Sequence, residues 1–212
     1  GTTGDQMDQA LTEFVNEQQL PVTKKGVYPY YTMGVTSRAG NQLDINAVAQ
    51  KFITPKTYIL AISEADYQSM TGKTLNLGDD EVALYQQGVK LDSKQDLQLA
   101  GQTFKIKEEL KEDFIFGNLP DQMNMIVPEK IYMVLKNPDQ IFSTMTDKYA
   151  VNLNYYGWLD TKLSAEEQRN LRDAYQEKLS QFNQTLPENQ AVYGSVTAFD
   201  KQEIKGMLGG MF

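Results

Sequence analysis

The chain has 212 residues, with 20 Lys and Arg against 28 Asp and Glu, and it contains neither histidine nor cysteine. These missing residue types exclude His-based acid–base catalysis, thiolate nucleophiles, disulfides and metal sites built from imidazole or thiolate ligands. The net charge of −8 argues against a nucleic-acid partner, because nucleic-acid binding requires a clustered basic face. With 41% hydrophobic residues, the composition favours a folded acidic domain whose role is binding.

The first part of the chain predicts a helix followed by an extended segment. Apolar residues recur at helical spacing over residues 5–19, where Asp5 is the expected cap. Residues 27–36 are aromatic and β-branched around Pro29, which predicts an edge strand or an extended ribbon. Residues 41–50 form a further segment with no clear pattern.

The region that follows has stronger local signals. The apolar run 57–62 predicts a buried strand, and Ser63 is a good N-cap for a short helix that ends at Gly72. Asp66 occupies the capping-box position of that helix, and residues 81–85 predict the next strand. A strand, a capped helix and a strand within about thirty residues predict a βαβ-like or split unit.

The second part of the chain predicts mostly strands. They are expected at residues 96–99, 103–107, 123–127, 130–135, 151–156 and 191–199. Ser164 and Glu167 form a capping box that predicts a long helix near residues 164–182. There is no internal repeat and no linker long or polar enough to demand two domains. We therefore expect one α+β domain over residues 1–203, with a mixed or antiparallel sheet and a few helices.

The last residues become apolar, from Ile204 to Phe212. One interpretation is a C-terminal tail that docks on the domain. We favour the other, in which residues 204–212 are the start of a transmembrane helix, because a soluble domain rarely ends by becoming more hydrophobic. A spanning helix needs about twenty apolar residues and would have to continue beyond this point.

Two motifs with possible chemistry are weak. A Gly-Lys-Thr run at residues 72–74 lacks the earlier glycine of a phosphate-binding loop and follows a predicted helix instead of opening one. Glu108, Glu109, Glu112 and Asp113 could supply a glycosidase acid and base, but a solvated acidic face is the simpler interpretation. No run has calcium-loop spacing. We therefore expect no catalytic residues, no metal, no nucleotide site and no cofactor.

Two aromatic clusters are the candidate ligand or partner contacts, because Tyr and Trp at a loop edge give large amphipathic contact areas. Their members are Tyr28, Tyr30, Tyr31, Tyr155, Tyr156 and Trp158. The alternative, which we favour, is partial burial in the core with the hydroxyl groups reaching water. The acidic surface would attract cationic peptides over a range limited by salt.

Two stretches of the chain resemble a known family. The first contains YILAISEADY at 58–67, GKTL at 72–75 and EVALY at 81–85, and the second is MNMIVPEKIYMV at 123–134. They resemble the large extracellular domain of FtsX-like permeases, specifically the bacitracin-export (Bce-type) ABC transporters of Gram-positive bacteria. The similarity covers most of the chain in element order and is sharp over residues 57–85 and 123–135.

The resemblance implies a domain outside the cell, at the cell membrane, between the seventh and eighth membrane helices of the permease. Residues 204–212 would then enter the eighth helix. The implied partners are a cytoplasmic ATP-binding subunit, a membrane sensor histidine kinase, and a peptide antibiotic or its complex with a lipid-linked cell-wall precursor. ATP hydrolysis would belong to the separate subunit, so this chain would not be an enzyme. The family offers no residue-level site motif.

Three other functions stay open. One is a partner-binding domain of a division or lipoprotein-release FtsX-like permease. Another is a secreted wall glycosidase that uses the carboxylates near Glu108 and Glu112. The third is a free-standing secreted adhesin.

Overall fold

The computed structural model describes residues 3–114, 129–146, 151–161, 163–186 and 190–197. The helices are α1 (Thr3–Glu17), α2 (Glu64–Thr71), α3 (Pro138–Phe142) and α4 (Ala165–Asn183), with 3-10 turns at Ala49–Lys51 and Ser143–Met145. The strands are β1 (Val22–Val35), β2 (Ser37–Ala39), β3 (Gln42–Asp44), β4 (Thr57–Ser63), β5 (Glu81–Gln87), β6 (Leu97–Leu99), β7 (Gln102–Glu109), β8 (Glu129–Leu135), β9 (Asn152–Thr161) and β10 (Gln190–Thr197). The fold is α+β with a mixed sheet, as the sequence predicts.

The chain divides into two compact units. The described residues up to Pro29 and from Asn154 onward form unit 1, and those from Tyr30 to Leu153 form unit 2. Strand β1 contributes residues to both units. Unit 2 is therefore an insertion in the sequence of unit 1.

The sheet of unit 2 alternates between parallel and antiparallel neighbours. Its strand order is β1-β4-β8-β5-β7-β6-β3-β2. The pairs β4/β8, β5/β7 and β6/β3 are parallel, and the other neighbours are antiparallel. The strand centres are apolar, and their side chains form one buried core that includes Leu43, Ile59, Val82, Leu84, Leu97, Ile131 and Met133. The residues that alternate with these, among them Leu60, Ile62, Tyr132 and Val134, are buried as well. Both faces of β4, β5 and β8 are therefore covered, which accounts for their runs of consecutive apolar residues.

The predicted strand–helix–strand unit consists of β4, α2 and β5, and α2 has the expected caps. The two strands are not neighbours in the sheet. The Ser63 hydroxyl accepts a hydrogen bond from the Asp66 N–H at 3.1 Å, and Gly72 ends α2 at φ 75°. Strand β8 lies between β4 and β5, parallel to β4 and antiparallel to β5. Because β4 and β5 therefore run in opposite directions, the arrangement is a split unit, and the parallel βαβ alternative is wrong.

Unit 1 contains the two longest helices and a small core of its own. Leu11 and Phe14 of α1 pack with Tyr175 of α4, and the rings of Phe14 and Tyr175 meet edge to face with centroids 5.4 Å apart. The Lys178 ammonium lies 3.6 Å from a carboxylate oxygen of Glu13 and of Glu17. The strand order in this unit is β10-β9-β1.

Helix α4 confirms the predicted capping box. The Ser164 hydroxyl accepts from the Glu167 N–H, and the Glu167 carboxylate accepts from the Ser164 N–H, both at 3.2 Å. These two bonds satisfy backbone donors that have no partner within the helix.

Several expectations for the N-terminal elements need correction. Helix α1 begins at Thr3, so Asp5 lies in its first turn and is not its cap. Strand β1 begins five residues before the predicted start, at Val22. It continues through Gly26, where the Tyr28 side chain packs so closely that a Cβ would lie 2.5 Å from the Tyr28 hydroxyl oxygen. Since β1 neighbours β9 in unit 1 and β4 in unit 2, it is not an edge strand.

Two predictions lie outside the described residues. They are the strand at 123–127 and the membrane-helix start at 204–212. The final strand is confirmed as far as Thr197.

Candidate functional site

The most exposed large apolar side chains among the described residues lie together in one short stretch of unit 2. Val48, Phe52 and Ile53 are 64%, 83% and 49% exposed. They fall between the short strand β3 and the buried strand β4, in residues Asn46–Lys56, which we call the 46–56 segment. Apolar residues that are exposed singly are ordinary on protein surfaces, whereas adjacent ones indicate an interaction site.

The backbone of the 46–56 segment is ordered by its own hydrogen bonds. The Asn46 side-chain oxygen accepts from the N–H groups of Val48 and Ala49, both at 2.9 Å. The Phe52 and Ile53 N–H groups donate to the Ala49 carbonyl at 3.0 and 2.9 Å. Val48 and Phe52 directly precede and follow this short helical turn, and both side chains are exposed.

Strand β1 holds the segment at Gly34. The Gln50 side-chain amide donates to the Gly34 carbonyl at 2.8 Å. The Pro55 ring lies against the same residue, since a Cβ at Gly34 would be 2.6 Å from the Pro55 Cγ. The Pro55 contact depends on the close approach that glycine allows. The exposed side chains thus extend from a backbone that is attached to the sheet.

The local charge of the segment is opposite to that of the whole chain. Lys51 and Lys56 are exposed, and there is no acidic residue from Ile45 to Thr57. Neither ammonium group forms an ion pair within the part of the chain that the structure describes. The nearest acidic residue on the neighbouring strand is Glu129, whose N–H donates to the Lys56 carbonyl at 3.1 Å. The Glu129 carboxylate lies 3.7 Å from the Arg38 guanidinium. The segment is a small basic and apolar surface on an acidic chain.

The structure places four of the six candidate aromatic contacts in the interior. Tyr28 and Tyr155 are buried in unit 1, and Tyr30 and Tyr31 are buried in unit 2. The Tyr31 hydroxyl donates to the Asp139 carboxylate at 2.7 Å, and its ring centroid is 5.7 Å from that of Phe142. For these four, burial agrees with the core part of the alternative, because side chains in the core have no surface to offer a ligand. The expectation that the hydroxyl groups reach water is wrong for Tyr30, whose hydroxyl oxygen is itself buried.

The remaining two candidates cannot be located in the same way. The backbone of Tyr156 and Trp158 belongs to β9, but their side chains lie outside what the structure describes. The structure therefore brings no group of the six together at a described surface.

A carboxylate pair lies where β4 and β8 end. Ser63 and Leu135 are register partners, so α2 and α3 begin at the same edge of the sheet. Burial raises the pKa of Asp66, the charge of Asp139 raises it further, and a hydrogen bond with the Ser63 side chain opposes both effects. Asp66 is in the first turn of α2. Asp66 thus belongs to the capped N-terminus of α2, where Ser63 is the capping residue. The Asp139 carboxylate accepts a hydrogen bond from the Tyr31 hydroxyl.

The other motifs have structural or surface roles. Gly72 and Lys73 follow α2 instead of opening a helix, and Lys73 lies 3.5 Å from Glu112 in an exposed ion pair. Glu108 and Glu109 are exposed at the end of β7. Among the described residues, no three acidic side chains converge in a way that could hold a metal ion.

No family model, no curated protein and no solved structure matches this chain. Within the described residues, no helix combines the length and apolar character that a membrane crossing requires.

Proposed function

We propose that the chain is a non-catalytic recognition domain of an FtsX-like ABC transporter permease of the Bce type. It acts outside the cell and engages a peptide antibiotic, or the complex of that peptide with a lipid-linked cell-wall precursor, at the membrane face. The observation that carries a binding role at the membrane face is the exposed 46–56 segment, where Phe52 is 83% exposed on an ordered backbone. The net charge of −8 on the chain supports attraction of a cationic peptide to the rest of the surface. Exposed adjacent apolar residues on a fixed support are typical of interaction surfaces.

The resemblance supports the permease part of the proposal. Its first stretch covers β4, α2 and the start of β5, which are central elements of unit 2. In such a permease, ATP hydrolysis belongs to a cytoplasmic subunit, and a sensor histidine kinase receives the signal. A ligand can shift the attached membrane helices only if it binds one of their arrangements more tightly than the other.

A titration of the 212-residue chain with a cationic peptide antibiotic tests this function. The matched control is a peptide of the same composition in scrambled order, and both are measured by calorimetry at low and high salt without lipid. We expect saturable binding in which the antibiotic binds at least about tenfold more tightly than the scrambled peptide, about 1.4 kcal/mol. Equal affinities that both vanish at high salt would leave only attraction to the acidic surface and would contradict the proposal.

A further inference from the structure

We infer that the 46–56 segment docks on the surface of an anionic lipid bilayer. Val48, Phe52 and Ile53 enter the boundary between headgroups and acyl chains, and Lys51 and Lys56 lie among the phosphates. This rests on the proposed function, because a recognition domain that finds its ligand at the membrane face must lie against lipid. It adds the partner of the segment, which neither the sequence patterns nor the resemblance assigns.

The exposed side chains have the chemistry of a membrane-contacting loop. Interfacial attachment combines buried apolar area with electrostatic attraction to anionic headgroups. Val48, Phe52 and Ile53 supply the apolar area, and the hydrogen bonds of the helical turn order the backbone that carries them. Lys51 and Lys56 stand on either side of Phe52 and Ile53 in sequence, and their long side chains allow the ammonium groups to remain at headgroup level.

The charge distribution favours a bilayer over a cationic peptide as the occupant of the segment. The chain carries a net charge of −8, which repels an anionic surface, yet residues 45–57 contain two lysines and no acid. The same two lysines would repel a cationic peptide, which the acidic remainder of the chain attracts. A positive apolar loop on an acidic domain is therefore oriented toward anionic lipid.

The contacts that hold the segment against β1 fix the direction in which its exposed side chains meet the bilayer. The Gln50 side chain and the Pro55 ring both meet β1 at Gly34, so the exposed residues cannot fold back without losing these contacts. An ordered loop also loses less conformational freedom when it binds.

Co-sedimentation with vesicles tests the inference. One vesicle preparation is phosphatidylcholine alone, and the other is an equal mixture of phosphatidylcholine and phosphatidylglycerol. The variants of the 212-residue chain are Phe52→Ser and the double variant Lys51→Glu/Lys56→Glu. The matched control is Lys90→Glu/Lys94→Glu, which makes the same charge change at exposed positions of the same unit.

We expect the unchanged chain to bind the mixed vesicles and not the neutral ones. Phe52→Ser and Lys51→Glu/Lys56→Glu should each weaken binding by about tenfold or more, whereas Lys90→Glu/Lys94→Glu should change it by less than about threefold. The substituted side chains are all exposed, so circular dichroism spectra should stay unchanged and confirm that each variant is folded.

Three results would overturn the inference. The first is that Phe52→Ser and Lys51→Glu/Lys56→Glu bind the mixed vesicles as tightly as the unchanged chain does. The second is that the control Lys90→Glu/Lys94→Glu loses as much vesicle affinity as the segment variants. The third is absence of binding between the unchanged chain and the mixed vesicles, and weaker peptide binding by Phe52→Ser in lipid-free solution would then assign the segment to the peptide. Vesicle binding as expected, without any peptide binding, would support the membrane contact and contradict only the proposed function.

Discussion

Asp66 shows how one carboxyl group can serve local structure at a cost to stability. It lies in the first turn of α2, next to the capping residue Ser63, where a negative charge interacts favourably with the helix dipole. The same position is half-buried, and burial together with the nearby Asp139 raises the pKa of Asp66 above its ordinary value of 3.8. Ionised Asp66 is therefore less stable in the folded chain than in the unfolded chain.

The substitution Asp66→Asn should change how stability depends on pH. With a folded pKa above the unfolded one, the folded chain binds more protons between the two values, so stability falls as pH rises through that interval. The free energy of unfolding of Asp66→Asn minus that of the unchanged chain should therefore decrease as pH falls from 7 toward the ordinary value of 3.8. Urea unfolding of both proteins at matched pH values measures this difference. A difference that stays constant or increases on acidification would contradict the assignment.

The tyrosine clusters illustrate what residue types alone cannot predict. Tyr28, Tyr30 and Tyr31 occupy consecutive positions around Pro29, which is compatible with either a loop edge or a covered strand. The difference depends on which distant elements cover the strand. For Tyr31 these include Asp139 and Phe142, more than a hundred positions later in the sequence. The 46–56 segment shows the same dependence on tertiary structure, since its sequence pattern predicted neither burial nor exposure and Val48, Phe52 and Ile53 are exposed.

Helix α2 is short, and both of its ends are determined locally. At its C-terminus Gly72 adopts φ 75°, and its N–H donates to the Gln68 carbonyl at 2.7 Å. No heavy atom lies within 4 Å of the position that a Cβ would occupy, so a larger residue meets no steric obstacle there. The left-handed backbone conformation is thus what favours glycine at position 72.

Gly72→Ala should therefore destabilise the chain by about 1–2 kcal/mol through backbone strain alone. Gly72→Asn is the matched control, because asparagine also adds a side chain but tolerates the left-handed region better. Chemical denaturation of the three proteins gives the free energies. If alanine cost no more than asparagine, backbone conformation would not explain this glycine.

Local signals explain which elements could be predicted. The caps at Ser63, Gly72 and Ser164 involve residues within four positions of one another, so the sequence contains all that they require. The order of the strands does not follow from such signals, since β8 inserts between β4 and β5 after a long intervening stretch. Strands β2 and β3 have three residues each, which is too short to show alternation. For the 46–56 segment, the sequence feature that could have indicated a surface contact is the presence of Lys51 and Lys56 with no acidic residue between positions 45 and 57.

At the scale of the whole molecule, the predicted elements indicated the α+β class and the composition indicated the acidic character, but neither indicated the division into two units. The division is invisible in the sequence because β1 runs through it without a linker. Each unit nevertheless has its own core, built around Phe14 and Tyr175 in unit 1 and around the strand centres of unit 2. Separate cores predict that a cavity in one unit affects that unit most.

Hydrogen exchange on two cavity variants tests this expectation. Phe14 is buried against Tyr175, and Leu84 is fully buried in the sheet, so Phe14→Ala and Leu84→Ala should each destabilise their surroundings by about 3–4 kcal/mol. Phe14→Ala should accelerate amide exchange most in α1 and α4, and Leu84→Ala should accelerate it most in β5 and β8. The two variants are controls for each other, because each removes a large apolar side chain from one core and leaves the other intact. If either variant accelerated exchange equally in all four elements, the units would open together and the chain would behave as one cooperative domain.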